Sequence, residues 1–193
     1  MLSDEKIQLL GRVARAQSGA APSGDPDKPI SILSLAAASY GAKPAEESTI
    51  PTGFDPLAVV LFEAIVEGAY LVAAADGVVD TEERHVFERV VTAACGGVVL
   101  ERQITELVAE LSALLERDGM EKRVKAVGAQ VHKKDHGREV LRIAALLAIA
   151  SNDVSPVERT VLEQLAAEFR LEPADVDAAV THVRGVLAAS AAG

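Results

Sequence analysis

Apolar residues recur along this chain at intervals of three and four, the spacing that aligns one face of an α-helix. Near the start, Ile7, Leu10, Val13 and Ala14 share such a face and predict a short helix over residues 2–16. The pattern then breaks. Between residues 17 and 53 lie Pro22, Pro26, Pro29, Pro44 and Pro51, with Gly and Ser among them. Proline removes backbone donors and clashes with the preceding turn, so no long helix fits there. One apolar stretch inside it, residues 30–40, predicts an element that docks on the main domain or on a partner. Residues 1–53 therefore read as a short helix and an irregular linker with a docking element. Asp55 and Pro56 open the folded domain, placed at residues 54–193. Aspartate at a helix N-cap satisfies orphan N–H groups, and proline at the first helical position has none to lose. A long apolar helix is predicted over 57–75.

The most informative feature is internal similarity. The segment Leu71-Val72-Ala73-Ala74-Ala75-Asp76-Gly77-Val78-Val79-Asp80-Thr81-Glu82-Glu83-Arg84 recurs as Leu146-Leu147-Ala148-Ile149-Ala150-Ser151-Asn152-Asp153-Val154-Ser155-Pro156-Val157-Glu158-Arg159. The likeness runs into the following helix: Val86, Phe87, Val90, Val91 and Ala94 correspond to Val161, Leu162, Leu165, Ala166 and Phe169. Each set makes one stripe of an amphipathic helix, in the same phase after similar turns. A duplicated unit of helix, turn, helix and third helix explains this, with copies at about 57–118 and 132–189. Ile104, Leu107, Val108, Leu111, Leu114 and Leu115 mark the third helix of the first copy. Val176, Ala179, Val180, Val183, Val186 and Leu187 mark that of the second. A further helical piece is expected over 120–131, and Asp135 is expected to cap a helix restarting near His136. The prediction is an all-α fold, a single bundle of about seven core helices that buries both stripes against each other.

Composition agrees with helices. Of the 193 residues 49% are hydrophobic and only 3% aromatic, so Ala, Val and Leu supply the apolar surface. Alanine enters helices without loss of side-chain entropy, whereas sheets draw on aromatic and β-branched residues. The formal net charge of −10 repels phosphate backbones, which argues against nucleic-acid binding. The first residues are acidic and lead into no apolar run of signal-peptide type. The longest continuous apolar run, residues 143–150, is far shorter than a membrane span. A cytoplasmic protein without direct membrane insertion is expected. The single cysteine, Cys95, has apolar neighbours and reads as a buried structural thiol.

Chemistry concentrates at the turns. Asp76 is placed at a helix C-terminus, where Gly77 can take the left-handed conformation that ends helices. Asp80 and Glu83 open the next helix. Three carboxylates around one turn suit a hard divalent cation, Ca²⁺ or Mg²⁺. The spacing lacks the alternating ligands of an EF-hand loop, so that family is excluded. Capping explains part of the set without a ligand. Asp80 with Glu83, and Ser155 with Glu158, fit capping boxes in which each side chain satisfies the other residue's N–H. Asp76 is left over, because a carboxylate at a helix C-terminus opposes the macrodipole.

The paired segments around Asp76-Gly77-Val78-Val79-Asp80 and Ser151-Asn152-Asp153 resemble the TerB family of bacterial tellurite-resistance and stress-response proteins. The wider group is similar to the membrane-proximal domain of DjlA-type co-chaperones. The resemblance covers about residues 54–189. It implies an all-α fold of about seven helices in two related halves, acidic loop residues suspected of holding metal, and protein partners in a membrane-associated stress complex. A homo-oligomer stays open. Carried over by position, the metal-associated residues are Asp76, Glu83 and Glu158, with Asp80 and Asp153 beside them. The second copy departs from the pattern: Ser151 and Asn152 stand where Asp-Gly would be, and Asp153 follows one step later. A symmetrical two-loop site does not follow.

Other candidates carry less. His132 and His136 are four apart, as zinc ligands on one helix face would be, but Lys133 and Lys134 intervene and Gly137 suggests a break. A solvated loop is expected there, with His85 and His182 as surface residues. Lys122, Arg123 and Lys125 form a local basic patch. Phosphate loops, nucleophile elbows and His-Glu-x-x-His motifs are absent from the sequence. The reading is a non-enzymatic interaction module with a candidate cation site at Asp76, Asp80, Glu83, Asp153 and Glu158. The alternative is a metal-free adaptor that binds a partner through its N-terminal segment or helix faces.

Overall fold

The structure, a computed structural model, describes residues 2–16, 31–43, 55–77, 79–151 and 153–191. The linker stretches 17–30 and 44–54, and residues 78 and 152 of the two turns, lie outside the described residues. The described residues form nine helices and no strand: α1 (Asp4–Arg15), α2 (Ile32–Gly41), α3 (Pro56–Ala73), α4 (Thr81–Ala94), α5 (Glu101–Asp118), α6 (Met120–Gln130), α7 (Lys134–Ser151), α8 (Pro156–Glu168) and α9 (Pro173–Ala191). The expected all-α bundle is present, with α3 to α9 as its core and α1 and α2 laid on it.

The starts follow from capping. Asp55 accepts a hydrogen bond from Leu57 N at 2.9 Å, with Pro56 at the first position of α3. Ser155 and Pro156 open α8 in the same manner. At the other end of α4, the helix stops ahead of Gly96 and Gly97. The two long apolar helices, α3 and α7, pack against each other at the centre. Phe62, Ile65, Leu71 and Val72 of α3, and Leu141, Ala144, Ala145 and Leu146 of α7, are fully enclosed. Gly68 makes this close approach possible: a Cβ there would lie 2.5 Å from Val140 Cγ1. Helices α8 and α9 then close around the pair, α6 bridges α3 to α8, and α4 packs on α1 and α5.

Helix α3 is long and apolar enough to cross a membrane, which the count of uninterrupted apolar residues missed, because Glu63 and Glu67 break the run. About two thirds of it, 67%, is buried inside the bundle. Its apolar surface is thus taken up by neighbouring helices rather than left for lipid.

Two local expectations are corrected. Asp135 does not cap α7, which starts at Lys134; its carboxylate sits in the first turn and accepts from Arg138 at 3.0 Å. Gly137 does not break the helix. It lies in the second turn of α7, where a Cβ would meet Phe169 Cβ at 2.7 Å. The glycine serves a helix contact, and tertiary packing outweighs its propensity cost of about 1 kcal/mol.

The N-terminal helices are tied in by a buried ion pair that periodicity does not reveal. Glu139 and Arg142 of α7 are 5% and 3% exposed and meet at 2.8 Å. Arg142 donates to the carbonyls of Val13 (3.1 Å) and Ala14 (2.6 Å) at the C-terminal end of α1. Glu139 accepts from Leu33 N at the N-terminal end of α2 (3.3 Å). A cation thus meets carbonyls at one helix end, and an anion meets an N–H at another, the arrangement the helix dipole favours. Unpaired, either charge would be costly in this interior.

Candidate functional site

Helices α3 and α7 deliver their C-terminal ends to one side of the bundle. The two turns that follow face a common cleft of about 780 Å³, the first through Asp76, Val79 and Asp80 and the second through Asp153, Val154 and Ser155. All five candidate carboxylates line it: Asp76, Asp80, Glu83, Asp153 and Glu158, joined by Glu82. Its floor is apolar, made by Val86, Phe87 and Val90 of α4 and Leu147 of α7. Leu2, just ahead of α1, adds a wall. Among the described residues no Lys, Arg, His or Cys lines the cleft.

The carboxylates are differently engaged. Asp80 Oδ1 accepts from Glu82 N (2.8 Å) and Glu83 N (2.9 Å), while Glu83 Oε2 accepts from Asp80 N (2.9 Å). Both bonds of the capping box are in place. In the second unit Ser155 Oγ accepts from Glu158 N (3.3 Å), and Glu158 Oε2 accepts from Ser155 N (2.7 Å). Asp153 stands in the left-handed region at φ 70°. Its Oδ1 accepts from Val154 N (2.9 Å), and Arg184 of α9 grips both carboxylate oxygens at 2.7 and 2.9 Å. Arg184 first, and the Val154 N–H next, hold this carboxyl below the usual aspartate range. Asp76 makes no hydrogen bond or ion pair with any described residue. Gly77 beside it takes φ 145°, open to glycine and strained for other residues.

Among the described residues, no three His, Cys, Asp or Glu side chains stand close enough to share one metal ion. The structure brings the five residues to one cleft and does not close them into a cage. What the set can do chemically is attract cations, through carboxylate oxygens that the caps leave unused, beside an apolar surface. The two serines of the lining are occupied locally: Ser151 Oγ donates to Ala148 O (2.8 Å), and Ser155 Oγ serves its cap. Sequence reasoning missed Arg184, thirty-one residues from Asp153, and the apolar floor. Neither leaves a local signal, since both depend on how α9 and α4 pack.

The remaining candidates do not gather into a site. His132 is exposed ahead of α7 while His136 lies within it, so they share no helix face. His182 is half-buried rather than on the surface, and burial pushes its pKa down, as it does that of His136. The basic trio is paired: Lys122 with Asp118 (2.8 Å), Lys125 with Glu121 (2.7 Å), and Arg123 with the buried Glu67 (2.6 Å). Burial raises the Glu67 carboxyl despite Arg123. Cys95 is buried, and desolvation pushes its thiol up to about 12, far from the reactive thiolate. A second groove of about 500 Å³, between α1 and α4, contains Arg15 and Arg89. Arg15 donates to the Ala93 carbonyl, and Arg89 pairs with Asp4.

Comparison with known proteins adds one finding. The family described as tellurite resistance protein TerB matches residues 62–181, more than half of the chain, from within α3 to within α9 and including both turns. Helices α1 and α2 precede the match. No curated protein and no solved structure matches the chain.

Proposed function

The chain belongs to the TerB family, and we propose that it is a non-enzymatic interaction module of tellurite-resistance and stress-response type whose contact site is the cleft between its two turns. The observation that carries this is the convergence of six carboxylates and an apolar floor at one cleft. Among the described residues the side chains there are carboxylates, two locally bonded serines and hydrocarbon, which supply no nucleophile paired with a base. The partners are proteins, in a membrane-associated complex or as further copies of the chain, and the compartment is the cytoplasm. A divalent cation, Ca²⁺ or Mg²⁺, enters at the first turn, where Asp76 has no partner among the described residues and Asp80 and Glu83 keep a second oxygen.

The metal-free adaptor is the second reading, favoured by the intact capping boxes and by the Arg184 clamp on Asp153. Thermal unfolding separates the two. The chelator-treated protein is melted with Ca²⁺, Mg²⁺, Mn²⁺ and Zn²⁺ added singly, beside an Asp76→Asn variant. A native-state ligand at a hundredfold its dissociation constant stabilises by about 2.7 kcal/mol. A rise in Tm with one ion, lost in the variant, supports the cation site. The same Tm with every ion removes the cation and leaves the adaptor.

A further inference from the structure

The cleft is oversized for a lone ion. Ca²⁺ packs six to eight oxygens at roughly 2.3–2.6 Å around itself, whereas this cleft measures about 780 Å³, within the roughly 300–1,000 Å³ of sites that enclose larger organic groups. Its chemistry is divided in a way that selects an occupant. The floor of Val86, Phe87, Val90 and Leu147 is apolar, the rim carries six carboxylates, and no described Lys or Arg lines it. An apolar floor alone would accept any hydrophobic chain. The rim favours cations and repels anions, and it does so without help from the rest of the cleft.

A second observation shows what the rim already takes. The Arg184 guanidinium, brought from α9, sits on Asp153 with a hydrogen bond to each carboxylate oxygen. That is the fork geometry by which arginine recognises carboxylates. The stretches of this chain outside the described residues do not suit the cleft by charge: 17–30 holds Asp25 and Asp27 against Lys28, and 44–54 holds Glu46 and Glu47.

We propose that the cleft receives an amphipathic segment of another protein that carries Lys or Arg, its apolar side chains on the floor and its cations on the carboxylate rim. This rests on the cleft being the contact site and adds the chemical class of what it contacts. Leu2, which lies ahead of the family match, forms part of the wall.

The test uses the full chain, isotope-labelled for amide NMR, with two synthetic amphipathic peptides that share their leucines and differ in Lys against Glu. The Lys peptide is expected to shift amides of 73–90 and 147–158, and those around Leu2, and no others. Its affinity should fall about two- to fivefold in Asp76→Asn, further in Asp76→Asn with Glu82→Gln, and again as salt shortens the Debye length. Val79, in the first turn, also lines the cleft, and Val79→Ser should weaken binding while shifting only the amides near residue 79 in the free protein. Binding indifferent to these substitutions and to salt, or shifts elsewhere on the bundle, overturns the proposal. Should the Glu peptide take the cleft instead, the contact site stands and the charge class fails. If neither peptide touches the cleft, both fall together.

Discussion

The turns of the two helix–turn–helix units are held by different chemistry. In the first, Gly77 supplies the left-handed residue, and the preceding Asp76 keeps a carboxylate with no partner among the described residues. In the second, Asp153 itself takes the left-handed conformation and is held by Val154 N–H and Arg184. Aspartate tolerates this region better than most residues because its short side chain bonds locally. Both turns then lead into equivalent capping boxes, Asp80 with Glu83 and Ser155 with Glu158. The helix starts are therefore common to the two units, and the charge state of the turn is not. One turn offers a carboxylate to the cleft, while the other has it neutralised from within.

Four experiments sharpen or break that comparison. The largest effect tests the shared core. Phe87 and Leu162 hold equivalent positions, 5% and 0% exposed. Phe87→Ala should cost about 3–5 kcal/mol and Leu162→Ala about 2–5 kcal/mol in denaturant unfolding. A loss confined to one variant would mean that the two units do not share a single cooperative core. Next come the caps. Asp80→Ala and Ser155→Ala should each cost about 0.5–2 kcal/mol. A much smaller loss for one would show that its unit does not depend on the cap.

The third experiment is an acid titration of stability. At the repeat spacing, His136 and His182 of the second unit stand where the first has Leu61 and Leu107. Burial lowers both histidines below their ordinary value of 6.5, with Lys133 assisting at His136 and Arg142 at His182. The unfolded chain then binds more protons than the native state as acid is added. Stability is complete above about 6.5 and declines as pH falls through the lowered folded values. His136→Leu with His182→Leu should flatten Tm between pH 7 and 5, and an unchanged slope would assign it elsewhere. Asp153 follows the same sign at lower pH: its stabilisation is full above the ordinary aspartate value and is lost as pH falls from there through the lowered folded value. The smallest effect is expected from Arg184→Gln. Its ion pair is exposed, so Tm should barely move, yet the second turn should now respond to added cation as the first does. A variant whose second turn responds to cations no more than it does in the parent would show that the Arg184 clamp is not what separates the turns.

Much of the fold was legible because its signals are local. A stripe such as Val86, Phe87, Val90 and Val91 buries one helix face whatever the partner, and Asp55-Pro56 or Ser155-Pro156 starts a helix within four residues. The candidate carboxylates could be named for the same reason. Their states could not. Capping of Asp80 and Glu83 is local and was foreseen, whereas the Arg184 clamp on Asp153 joins residues that only the packing of α9 brings together. Gly137 misled because a glycine written in a sequence marks freedom of backbone or want of space, and Phe169 decides for the second.

The sequence by itself determined helices, their order, their caps and the likeness of the two units, since all of these depend on neighbours within a turn or two. The tertiary structure alone decided that both turns open on one cleft, that α3 is a core helix despite its membrane-like length, and that Glu139 and Arg142 anchor the N-terminal helices. These rest on contacts between residues far apart in the chain, whose partners no local periodicity encodes.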